Sequence, residues 1–178
     1  MSKKAKIWIV VAAVFLFVVI VFVGVGMYVG AFSSVDISEG FRGPYHFVYL
    51  MHKGPYQLVV KKIQKVEQIL KEKNIQYSFA AGRYYDNPDT TPKEYLKSDA
   101  GVIVNTPAQV DSPLQYEQIS ERYVVIGKIK AHPAITPFKT YPKMHEYIES
   151  KNYTVIGPAF EIYYEEGTVE VLIPISKK

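Results

Sequence analysis

The chain has 178 residues, of which 48% are hydrophobic and 21% charged, and it contains no cysteine. That length suits one domain or two small fused ones, and the missing cysteine excludes a disulfide framework and a thiolate metal site. The net charge of +4 includes Lys3, Lys4 and Lys6; the remainder carries 18 basic against 17 acidic residues, too balanced for the dense basic face that phosphate neutralisation needs, so no nucleic-acid partner is expected.

Residues Ile7–Phe32 hold no charged side chain. As a helix these 26 residues reach about 39 Å, against a hydrocarbon core of about 30 Å. A secretory apolar region is shorter, so a retained single-pass anchor in the lipid bilayer is expected rather than a cleaved signal peptide. The three lysines precede the span, whereas Asp36 and Glu39 follow it. The positive-inside bias then keeps the N-terminus in the cytoplasm and places the domain outside it. Trp8 falls at the expected interface. Residues 33–44 read as a linker.

The rest reads as a duplication. Residues 45–86 align with 123–164 without a gap, 78 positions apart, with eight identities that include Tyr45/Tyr123, Asn74/Asn152, Ala81/Ala159 and Tyr85/Tyr163. Each copy begins with an apolar strand, Phe47–Met51 or Tyr123–Ile129, and a turn at Gly54-Pro55 or His132-Pro133. A helix follows. Val59, Ile63, Val66 and Leu70 form the first stripe. Thr136 and Pro137 open the second helix, whose stripe is Phe138, Tyr141, Met144 or His145, and Ile148, with a kink or late start expected at Pro142. A hairpin closes each copy: Tyr77–Tyr85 with Gly101–Val104, and Val155–Glu165 with Thr168–Ile175. Residues 105–121 read as the linker between copies. The unit is β-α-β-β, twice, at 45–104 and 122–175. The expected fold is α+β, with both helices on one face of a largely antiparallel sheet behind one transmembrane helix.

The duplicated unit, with Gly157-Pro158-Ala159-Phe160-Glu161-Ile162-Tyr163 and the closing Val169-Glu170-Val171-Leu172-Ile173-Pro174, resembles the GyrI-like (gyrase-inhibitor-like) superfamily of small-molecule-binding domains, related to the SOUL fold. Within it, Tyr84-Tyr85-Asp86-Asn87-Pro88 and Gly101-Val102-Ile103 look like the first hairpin of a membrane-anchored testis-expressed ER-phagy receptor. That receptor's long acidic tail has no counterpart before Lys178, so its tail-borne function is not expected here, and the resemblance would place the domain on the cytosolic side. The resemblance implies a groove at the pseudo-two-fold that takes apolar, flat or cationic molecules between aromatic walls, with a buried acid.

Strand alternation supplies candidates for that groove. Phe160, Ile162 and Tyr164 are expected to meet the helices. Glu161 and Tyr163 are expected on the opposite, open sheet face, joined through the repeat by Arg83 and Tyr85, and by Glu170 on the last strand. Arg83 opposite Glu161 would neutralise the acid and favour neutral or zwitterionic ligands. The expected function is a membrane-anchored binding module for a small apolar or aromatic molecule, not an enzyme. Two alternatives stand beside it: a hydrolase using Glu161 and Tyr163 on the same groove, and an adapter recognising a protein partner. His46, His52, His132 and His145 show no metal-ligand spacing, so neither a metal nor a cofactor is expected.

Overall fold

A computed structural model describes residues 2–177. Helix α1 (Lys3–Tyr28) starts where the Ser2 hydroxyl accepts from the Ala5 amide at 3.2 Å, the usual capping arrangement. It is apolar on every side and buries no residue. It ends short of the expected Phe32, because Val29 caps it and Gly30 turns away at a φ of +75°. A side chain on Gly30 would stand 2.6 Å from the Ala131 backbone, so only glycine lets the chain pass so close.

The strands are β1 (Asp36–Arg42), β2 (Tyr45–Lys53), β3 (Tyr77–Tyr84), β4 (Lys97–Val104), β5 (Gln115–Ile119), β6 (Arg122–Lys130), β7 (Tyr153–Val155), β8 (Ala159–Tyr163) and β9 (Thr168–Lys177). All pair antiparallel, in the order β1-β6-β9-β8-β3-β4-β2-β5, with β7 on the end of β9. Helices α2 (Val59–Glu72) and α3 (Thr136–Ser150) complete an α+β fold. Both stretches read as linkers carry an edge strand: β1 lies within 33–44 and β5 within 105–121. The expected single strand Val155–Glu165 is broken into β7 and β8 around Gly157-Pro158, since proline has no N–H for the ladder. Pro142 does not delay or end α3.

The strand order is a palindrome about β3 and β8. One half reads β1-β6-β9-β8 and the other β5-β2-β4-β3, so the two copies are exchanged by a pseudo-two-fold axis between the central strands. Each edge strand pairs with the first strand of the other copy. The copies are not related by one constant spacing. β2 and β6 share the same pattern of buried and exposed residues at a spacing of 77. Asn74 and Asn152, which close the two helices at φ of 56° and 55°, are 78 apart. At the centre Ala80 faces Tyr163 and Tyr84 faces Ala159, pairs that the axis exchanges at a spacing of 79. The helices supply one extra residue: buried positions run Val59, Ile63, Val66, Leu70 in α2 but Thr136, Thr140, Met144, Ile148 in α3. The ungapped alignment therefore holds near the helix ends and fails in the strands.

Because side chains alternate along a strand, that one-residue slip makes Gly82 and Tyr84, not Arg83 and Tyr85, the symmetry mates of Glu161 and Tyr163. The faces of β8 are also the reverse of the expectation, since its more apolar set, Phe160 and Ile162, packs on the side away from the helices. Both helices cover one face. α2 packs on Val48, Leu50, Ala100, Val102 and Val104. α3 packs on Val125, Ile129, Val169, Val171 and Ile173. The helix-free face holds a second buried layer of Phe47, Tyr49, Ala81, Ile126, Phe160, Ile162 and Leu172. No helix shields it, so the curl of the sheet does. Arg83 on β3 reaches Glu117 on β5, three strands along, at 2.7 Å.

Candidate ligand cleft between the two helices

Glu161 lies on β8 directly opposite Gly82 on β3, at the axis and on the helix-bearing face. Only 4% of it is exposed. Its two carboxylate oxygens accept from different phenols, Oε1 from Tyr141 of α3 and Oε2 from Tyr163 of β8, each at 2.8 Å. The Tyr84 and Tyr163 hydroxyl oxygens are 2.7 Å apart. Because Tyr163 spends its only proton on Glu161, Tyr84 must donate to Tyr163. Tyr56, from the single 3-10 turn Tyr56–Leu58 before α2, meets the Tyr84 ring edge to face with centroids 4.9 Å apart. The Tyr56 hydroxyl is held by the Asp86 and Lys97 backbone.

The four tyrosines are half-buried as residues, while the acid beneath them is buried. Tyr163 touches the clusters of both helices, and α2 and α3 do not pack extensively on one another. The arrangement is a candidate cleft, with β3 and β8 beneath, phenols from both halves around it and a buried carboxylate at its base. Gly82 belongs to it: a Cβ there would stand 2.9 Å from the Tyr84 ring, so the ring lies across the strand only because residue 82 lacks a side chain.

The electrostatics are unusual for a buried acid. Among the described residues Glu161 has no ion pair. Burial pushes its pKa up, and the two phenol hydrogen bonds oppose that rise. Burial, and then the nearby Glu161 charge, raise the Tyr141 and Tyr163 phenols well above their ordinary range, so both remain proton donors at neutral pH.

The expected site residues separate into two groups. Glu161 and Tyr163 meet in the cleft, on the helix side rather than the open face. Arg83, Tyr85 and Glu170 are on the other face. Arg83 does not pair with Glu161. It donates to Asp99 at 2.9 and 2.7 Å and to Glu117 at 2.7 Å, and Tyr85 donates to the same Asp99 oxygen at 2.5 Å. Burial works against the charge of Arg83, but Glu117 and Asp99 outweigh it and hold its pKa above the ordinary value. Glu170 lies 3.4 Å from both Arg42 and the Tyr164 hydroxyl. Burial there pushes the Tyr45 and Tyr164 phenols up to about 12. That face leaves a cavity of about 20 Å³ between Arg42, Tyr45, Arg83 and Phe160, room for about one water molecule. Phe160, Ile162 and Tyr164, expected under the helices, belong to that layer.

Tyr56, Tyr84 and Tyr141 were not among the expected site residues. Tyr141 was visible on the α3 stripe. Tyr84 adjoins two expected positions, and one residue of slip decided between it and Tyr85.

Comparison with known proteins bears on the family and the fold. A family model described as the GyrI-like small molecule binding domain matches residues 41–176. A DNA gyrase inhibitor of Escherichia fergusonii is 26% identical over 140 residues, spanning 70% of this chain and 88% of that protein. The fold is shared with the EcmrR C-terminal domain, at a TM-score of 0.65 and 16% identity over 82% of this chain and 99% of that one. It is also shared with SAV2435, solved bound to tetraphenylphosphonium, at a TM-score of 0.55 and 13% identity over 79% of this chain and 94% of that one. With the family model spanning both copies of the β-α-β-β unit, the chain belongs to the GyrI-like family of small-molecule-binding domains.

Proposed function

We propose that the cleft between α2 and α3 captures a bulky, lipophilic cation, with Glu161 as its counter-charge and Tyr56, Tyr84, Tyr141 and Tyr163 as aromatic walls. The observation that carries this reading is a buried carboxylate with phenol donors and, among the described residues, no cation of its own. An isolated buried charge is costly, and a ligand cation removes that cost while gaining cation–π contact. Arg83, which on sequence grounds argued for neutral ligands, is engaged elsewhere. The tetraphenylphosphonium bound by SAV2435 supports the same ligand chemistry. Titration calorimetry of the full chain in detergent with tetraphenylphosphonium and with neutral triphenylphosphine oxide tests it. The cation should bind at least about tenfold more tightly, and equal affinities would reject the reading.

The contact between Glu161 and Tyr163 also suits the hydrolase alternative, with the carboxylate activating water and the phenol donating a proton. Product formation during the same incubation separates turnover from capture.

Helix α1 is long and apolar enough to cross a membrane. We further propose that it does so, with Lys3, Lys4 and Lys6 on the cytoplasmic side and the domain on the other. Protease shaving of intact cells tests the orientation: digestion of the domain is expected, and its protection would reverse the assignment.

A further inference from the structure

Phe138, expected on the core stripe of α3, is off it and 81% exposed, because the buried face runs through Thr136, Thr140, Met144 and Ile148. Its neighbours meet the end of α1. Lys139 Nζ donates to the Ala31 carbonyl, the His132 amide donates to the Val29 carbonyl at 3.0 Å, and the Ser33 hydroxyl donates to the Lys130 carbonyl at 2.6 Å. The exit of the helix is thus tied to the turn between β6 and α3.

The helix also carries its own depth marks. Trp8 and Tyr28 are exposed and 20 residues apart, about 30 Å along a helix, the thickness of a hydrocarbon core. Such aromatics sit at the two interfaces of a span. The Phe32 ring folds back over Gly26, on the bilayer side of Tyr28. Residues 29–33, and the turn bound to them, therefore stand at headgroup depth. There the chain forms an open cleft of about 300 Å³ lined by Ser33, Ser34, Asp36, Lys128, Lys130 and Thr168. Among the described residues neither Lys128 nor Lys130 has an ion pair.

We propose that the β6–α3 turn is a membrane-docking surface for the bilayer that holds α1. Phe138, with exposed Pro133 and Ala134, enters the interface. Lys128, Lys130 and Lys139 meet the phosphodiester groups of anionic lipids, and one headgroup occupies the cleft with Ser34 as hydroxyl donor. Asp36 in the same cleft offsets part of that charge. The proposal rests on the reading of α1 as a bilayer span.

The chain has no cysteine, so a single introduced one carries a unique label. An environment-sensitive nitrobenzoxadiazole group is attached at Ala134→Cys and, separately, at Gln57→Cys, its counterpart across the pseudo-two-fold axis. The full chain is reconstituted into vesicles containing phosphatidylglycerol. The label at 134 should shift to the blue and lose fluorescence to brominated lipid, while that at 57 stays water-like. Lys130→Gln with Lys139→Gln, or vesicles of phosphatidylcholine alone, should reduce the shift at 134. A water-like signal at 134 in a chain that resists alkaline carbonate overturns the docking surface and leaves the anchor standing. An undiminished shift in phosphatidylcholine overturns the anionic-headgroup assignment. Release of the chain by carbonate overturns the anchor itself.

Discussion

Replacing Glu161 by Gln keeps the shape of the cleft and removes its charge. A cation seated about 6 Å from the carboxylate, at an effective dielectric of about 20, is attracted by about 3 kcal/mol. Each 1.4 kcal/mol is about tenfold in affinity, so Glu161→Gln should weaken tetraphenylphosphonium binding by about 30- to 100-fold once solvent takes its share. The pH dependence gives an independent check. Burial raises the pKa of Glu161 above its ordinary value of 4.5, and a bound cation holds the group ionised. Affinity should therefore fall as pH drops through that raised value, and the Gln variant should stay flat. Stability moves the other way. Between the ordinary and raised values the folded state binds more protons than the unfolded one, so stability is lost as pH rises across that window. Above it, Glu161→Gln should be more stable than the parent. Calorimetric titration over a pH series, with Glu170→Gln as the control on the other sheet face, measures all of this. Unchanged affinity in Glu161→Gln, or parent affinity that rises in acid, would refute the role of the carboxylate.

Three further outcomes follow from the packing. Ile162→Ala empties a site that is 1% exposed and should cost about 2–5 kcal/mol in denaturant unfolding, while Tyr163→Phe should cost far less and still weaken cation binding. Arg83→Ala leaves Asp99 buried without its cation, with only the Tyr85 hydroxyl to donate to it, and should destabilise the fold by about 3–5 kcal/mol; a binding affinity unchanged in the folded fraction would confirm that Arg83 lies outside the cleft. Gly82→Ala forces the Tyr84 ring from its place and should reduce ligand affinity by more than it reduces the unfolding midpoint, read by the same titration and melt.

The helices and hairpins were legible because their signals are local. Val59, Ile63, Val66 and Leu70 repeat at helical spacing, and α1 has no polar face at all. The strand faces were not legible. β4 and β9 are buried on both sides, so their apolar runs carry no alternation that would tell one face from the other. β1 and β5 look polar because they are edge strands, each with much of its surface in solvent. The pseudo-symmetry was visible in residues near the helix ends, but the spacing is 77 at the first strands, 78 at the helix ends and 79 at the central strands, so no single offset aligns the copies. Glu161 and Tyr163 were found as a pair on the correct strand and assigned to the wrong side. The partners of Arg83 come from β4 and β5, too distant in sequence for local pattern to reveal.

The central claim is a location, and a structure of the full chain with tetraphenylphosphonium tests it most directly. The account predicts the phosphonium between α2 and α3 over β3 and β8, with Glu161 nearest the charge and the rings of Tyr56, Tyr84, Tyr141 and Tyr163 around it. A cation on the helix-free face, beside Arg83 and Glu170, would contradict it.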